Sequence, residues 1–135
     1  MFSLASYHVK IPTNIKRRCY LESLELAHTL VDAIVDKKGS DIILLDIRDY
    51  ASFADYFLIG NGENERQLKT LAEEIAQKAK KNAGANALGI EGLASAGWVL
   101  IDFGDLVVHL FSPQKRDYYG LEDIWDDAHV VMRMH

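Results

Sequence analysis

A lone cysteine, Cys19, leaves no disulfide framework and no cysteine-rich metal site, and it fits a reducing compartment. No apolar run reaches the length that spans a bilayer, and the first residues lack the continuous apolar core of a secretory signal. A basic surplus is missing too: 15 Lys and Arg stand against 20 Asp and Glu, a net charge of −5. The basic charge clusters early. Lys10, Lys16, Arg17 and Arg18 fall within residues 1–21 with no acid, leaving 11 basic against 20 acidic residues in the rest. So acidic a body repels phosphate backbones and suits a basic protein partner better than a nucleic acid. At 135 residues the chain makes one domain, able to fold without staples.

What the chain does have is a dense apolar stretch, Trp98 to Phe111. Val99, Leu100, Ile101 and Phe103 give the bulk of one strand, and Leu106, Val107, Val108, Leu110 and Phe111 that of a second. Gly104 supplies the positive-φ position that a short hairpin loop needs. Apolar residues occupy both alternation faces, which predicts a hairpin inside a sheet covered on both sides. Three polar residues interrupt it: Asp102, Asp105 and His109.

Residues 1–20 show no sustained period and are expected to be a mobile basic arm. From Leu21 to Lys38 the apolar residues Leu24, Ala27, Leu30, Val31, Ile34 and Val35 recur at helical spacing, with Gly39 as the stop. Asp41–Ile47 and Asp55–Gly60 read as buried strands. Asn64 with Gln67 three positions on is a capping-box pattern opening a second helix, whose inner stripe is Leu68, Leu71, Ala72, Ile75, Ala76 and Ala79. Ala87–Glu91 is a short strand before the hairpin. A turn and short helix follow Pro113, and the tail through residues 129–135 is expected to be mobile. The sum is an α/β fold with a mixed five-stranded sheet flanked by helices.

Few constellations carry chemistry. Gly60-Asn61-Gly62 lies between a strand and a helix start, as a phosphate cradle would. The third glycine of a dinucleotide fingerprint is absent, and Glu63 and Glu65 would repel a phosphate; a tight turn is the better reading. Asp102, Asp105 and Asp46 could hold a divalent metal for nucleotidyl transfer. Yet aspartates that bracket a turn normally cap backbone amides, and no lysine or arginine beside them would grip a triphosphate. His109 has no Ser or Cys partner at a recognisable spacing, so the default is a buried, hydrogen-bonded histidine. Trp98, Tyr118, Tyr119 and Trp125 with Arg116 have the composition of an interaction hot spot.

The stretches Asp41 to Arg48 (DIILLDIR), Ala54 to Gly62 (ADYFLIGNG), Arg66-Gln67, Glu91-Gly92, Gly97 to Phe111 (GWVLIDFGDLVVHLF), Arg116 to Tyr119 (RDYY) and Leu121 to Trp125 (LEDIW) stand in consistent order and spacing. Together they resemble the ribosomal silencing factor family, also called the Iojap family, over about residues 21–128. Members usually have Thr-Ser where this chain has Glu63-Asn64, a small departure at the helix cap. The resemblance implies a fold similar to the nucleotidyltransferases without their active site, and no enzymatic activity, cofactor or membrane. It also implies binding to the large ribosomal subunit through ribosomal protein uL14. Bound there, the factor blocks joining of the small subunit and represses translation under nutrient limitation, in the cytoplasm. Off the ribosome a homodimer is expected. Assembly of the large subunit is the alternative role. The implied partner-binding residues are Trp98 as apolar anchor, Tyr119 and Leu121 as flanking contacts, and Arg116 and Glu122 as polar rim; Asp102, Asp105 and His109 hold the hairpin's shape.

Overall fold

The computed structural model describes residues 13–121 and 129–135. In chain order the elements are α1 (Thr13–Asp36), β1 (Ser40–Asp46), β2 (Tyr56–Asn61), α2 (Glu65–Ala83), β3 (Gly89–Leu93), β4 (Trp98–Asp102), β5 (Leu106–Phe111), α3 (Pro113–Tyr119) and β6 (His129–Met134). Their strands form one sheet in the order β3-β4-β5-β2-β1-β6. Neighbours run antiparallel except β2 and β5, which pair in parallel from Tyr56–Leu106 to Asn61–Phe111. The sheet is therefore mixed, as expected, but it has six strands instead of five. The added strand is β6, drawn from residues expected to form a mobile tail. Its backbone completes the hydrogen bonding of β1, whose outer edge would otherwise be open. That partner is remote in sequence, so local pattern gave no hint of it.

Alternation along the strands builds two different faces. On one, Ile42, Leu44, Leu58, Ile101, Val108 and Leu110 pack beneath α1 and α2. The helices contribute Leu30 and Ile34 from α1 and Leu71 and Ile75 from α2, none of them accessible to solvent. Each such side chain contributes roughly 1.5–3 kcal/mol on burial, which makes this layer the main source of stability. On the other face Ile43, Leu45, Phe57, Ile59, Val107 and Phe111 form a second cluster. The segment through Ala51 and Ala54 and, at one end, Leu121 pack against it. Among the described residues long helices cover the hairpin on one side only, yet β5 is buried at every position, as the expected double cover requires, and only Trp98 and Leu100 of β4 are half-buried on the second face.

Helix α1 begins at Thr13, eight residues before the expected Leu21. No glycine or proline interrupts residues 13–36, so once nucleated the helix propagates at one hydrogen bond per residue. Residues 1–12 of the expected arm lie outside the described residues. At the other end Lys38 takes the left-handed conformation (φ 64°), and the Gly39 amide donates to Ile34 O at 2.8 Å. A side chain on Gly39 would collide with Ile34, so glycine is required there by close approach. Val35, counted by period in the inner stripe, is exposed.

The Asn64 cap forms as its pattern predicts, while the reciprocal bond from Gln67 reaches one residue further back than in a capping box. Asn64 Oδ1 accepts from the Gln67 amide at 2.9 Å, and Gln67 Oε1 accepts from the Glu63 amide at 2.6 Å. The same Gln67 side chain donates through Nε2 to Lys37 O and Lys38 O, at 3.1 and 2.8 Å. One amide thereby satisfies the start of α2 and the end of α1.

Candidate partner-docking surface

The second face around the β4–β5 hairpin carries most of the singled-out residues. Antiparallel pairing sets Trp98 opposite Phe111 and Leu100 opposite His109. The rings of Trp98, His109 and Phe111 lie within 6° of parallel, with centroids 6.1–6.3 Å apart. Phe57 from β2 meets His109 edge-on at 4.7 Å. Tyr119, from the last turn of α3, tilts against Trp98 and Phe111 at 5.5 and 5.9 Å, and Tyr118 meets Tyr119 edge-on at 5.2 Å. The result is an aromatic ladder running from the middle of the sheet to the end of α3. Tyr119 stays 46% exposed and Trp98 is half-buried, so the ladder's outer rungs face solvent.

Local structure sets α3 in place. Ser112 Oγ accepts from the Lys115 amide at 3.3 Å and Pro113 fills the first turn, the residue types that open a helix. Gly120 closes it in the left-handed conformation. The Ser112 amide donates to Gly97 O at 2.9 Å. Gly97 itself has φ 78°, and a Cβ there would sit 2.6 Å from Ser112 Oγ, so the residue before Trp98 has to be glycine.

Arg116 does not lie on the rim. It is buried, and its Nη1 donates to Asp41 O and, at 2.9 Å, to Asn61 Oδ1. This guanidinium is a strut between α3 and the adjoining ends of β1 and β2. Arginine is among the residues least often buried, so composition pointed to the surface. Leu121 is half-buried against the second-face cluster. Glu122 lies outside the described residues.

The hairpin's polar residues divide their work. Asp102 Oδ1 accepts from the Gly104 amide at 2.7 Å, and Gly104 has φ 92°. Asp105 acts through its backbone carbonyl, which accepts from the Asp55 and Tyr56 amides at 2.8 and 3.0 Å. Trp98 Nε1 donates to His109 Nδ1 at 3.4 Å, which places the His109 proton on Nε2. That Nε2 is covered and has no partner among the described residues. Burial pushes the imidazole pKa down to about 4, so the ring is neutral at physiological pH. Nearby, burial and then the Asp105 charge hold the Asp55 carboxyl above its usual range. Bidentate bonding from Arg48 holds Asp46 below its own. Among the described residues no three His, Cys, Asp or Glu side chains converge as metal ligands. Asp46 is engaged by Arg48 and Asp102 by the Gly104 amide, and the surface beside them is formed by the aromatic rings.

This geometry belongs to an α/β class whose open sheet face presents aromatic side chains. A family model described as "Ribosomal silencing factor during starvation" matches residues 20–134, and the chain belongs to that family. The match includes β6, so the last strand is part of the family domain. The chain is 39% identical over 111 residues to the ribosomal silencing factor RsfS of Halalkalibacterium halodurans, covering 82% of this chain and 94% of that protein. A crystal structure of a Chromobacterium violaceum protein superposes with a TM-score of 0.73 at 40% identity, over 76% of this chain and 85% of that one. More distantly, a mouse protein named "Mitochondrial assembly of ribosomal large subunit protein 1" is 31% identical over 98 residues, 71% of this chain and 43% of that protein.

Two features escaped sequence reading. Asn61 is buried and shared by Asp41, 20 residues before it, and Arg116, 55 residues after it. The exposure of Phe53 and Leu88, two apolar residues in loops, is the other. Their only sequence signal was large apolar character in short polar surroundings, which is too common to single out.

Proposed function

We propose that this chain acts by occupancy: it docks its second sheet face on the large ribosomal subunit, through ribosomal protein uL14, and blocks the small subunit from joining. The observation that carries the reading is the pair of accessible rings, Trp98 and Tyr119, backed by the buried His109 and Phe111 on a face that no long helix covers among the described residues. Half-buried aromatic rings held by a rigid sheet bind with little further loss of side-chain freedom, as hot spots do. The acidic balance suits a basic ribosomal protein. Trp98, Tyr119 and Leu121 make contact, and Arg116 sets the angle of α3. Such action needs no turnover and no cofactor, and it takes place in the cytoplasm when nutrients are scarce. Off the ribosome a second copy of the chain covers the same rings as a homodimer.

Sedimentation with purified large subunits tests this. The protein should travel with large subunits, lower the yield of joined ribosomes when small subunits are added, and lose both effects in Tyr119→Ala. Joining that proceeds undisturbed at saturating protein overturns the blocking role. The mouse relative's name favours a second reading, assembly of the large subunit. Cells lacking the protein would then accumulate immature large particles even in rich medium.

A further inference from the structure

Beside the ladder, on the same face, lies a groove of about 460 Å³. Phe57, Leu100, Val107 and His109 line it from the sheet; Phe53 and Leu88 line it from the loops. Phe53 is 53% and Leu88 69% exposed, an apolar surface that a monomer gains nothing by presenting. Its remaining polar lining includes Glu91 and Asp102, and no lysine or arginine among the described residues lines it. We propose that this groove receives an extended segment of a basic protein partner, one carrying an aromatic or aliphatic side chain flanked by lysine or arginine.

Three observations converge on that occupant. The apolar floor takes the large side chain, and the two carboxylates at its border take the flanking cations. Strand β3 borders the groove as one edge of the sheet, with no strand paired outside it among the described residues, and all five of its residues are exposed. It contains neither the lysine nor the proline that commonly blunts such an edge, so its main-chain groups are open to an extended segment. Finally, His109 stacks on Trp98, which makes groove and ladder one continuous surface. The inference rests on the docking reading above and extends it from the ladder to the sheet edge. A nucleic acid is the competing occupant, and the bordering carboxylates work against it.

The test is a Leu88→Lys/Glu91→Lys double variant, both positions being exposed, checked for its fold by circular dichroism and sedimented with purified large ribosomal subunits. Affinity should fall at least ~10-fold, and a photo-crosslinker placed at position 88 should capture a lysine- or arginine-bearing protein segment. Wild-type affinity in the double variant, with Tyr119→Ala impaired in the same assay, overturns the groove and leaves the docking face standing. Crosslinks to RNA alone also overturn it. A wild-type chain that fails to sediment with the subunits overturns both readings.

Discussion

The two faces of this one sheet are built from alternate residues of the same strands, yet they meet different demands. In β4, Val99 and Ile101 are buried beneath the helices, while their neighbours Trp98 and Leu100 are half-buried on the open side. The helix-covered face is a layered aliphatic core, where stability depends on filled volume. The other is richer in rings, held by a buried arginine and a short helix, with part of its area left to solvent. The docking proposed above would use this asymmetry: one side to fold by, the other to bind with.

Substitutions can break or sharpen the contrast. The largest stability effect should come from the helix-covered face. Ile101→Ala should cost about 2–5 kcal/mol, and Leu100→Ala, one residue along, well under half of that, as read by urea denaturation. If the two cost the same, the faces do not differ in the way described.

Acid should probe the ring face next. The folded-state pKa of His109, about 4, lies below the ordinary histidine value of 6.5, so between these limits the unfolded chain binds more protons. Stability should therefore be lost as pH falls from 6.5 towards 4, by up to ~3 kcal/mol from this one group. Asp55, with its pKa raised, titrates in the opposite sense. The effect is thus best read as the difference in slope between the wild type and His109→Gln, and equal slopes would remove His109 from the account.

Tyr119→Ala should leave the melting temperature nearly unchanged while weakening binding to large subunits by ~2 kcal/mol, about 30-fold. Arg116→Ala leaves Asn61 Oδ1 and Asp41 O short of a donor and should cost about 1–3 kcal/mol in stability, with a loss of binding that follows α3. At the small end, Lys69→Ala removes an exposed i,i+4 pair with Glu65, 3.2 Å apart, and should change stability by less than ~0.5 kcal/mol and binding not at all.

Much of this fold could be read from residue order. The runs Ile42–Leu45 and Val107–Leu110 are strands because branched apolar residues fill both faces, and Leu68, Leu71, Ile75 and Ala79 mark one side of α2 at helical period. The Asn64 cap was legible as well, since Asn64 and Gln67 sit in the required positions. What stayed hidden depended on distant partners. β6 exists because β1 has an edge to fill, and Arg116 is buried because Asn61 and Asp41 receive it across 55 and 75 residues. The charge of residues 1–21 also obscured the start of α1, because lysines and arginines are as compatible with a helix as with an arm. At the candidate docking surface, the composition of Trp98 and Tyr119 could be seen, whereas their alignment into a ladder needed the register of β4 on β5.

The parallel pairing of β2 with β5 has a consequence for how the chain is made. Tyr56–Asn61 must wait for Leu106–Phe111 before the centre of the sheet can close, a delay of roughly 3–10 s at ordinary elongation rates of about 5–20 residues per second. Throughout that interval the growing polypeptide carries an unzipped, strongly apolar margin while still tethered to the ribosome that is synthesising it. That margin is the part of the chain most open to wrong pairing before synthesis reaches its partner.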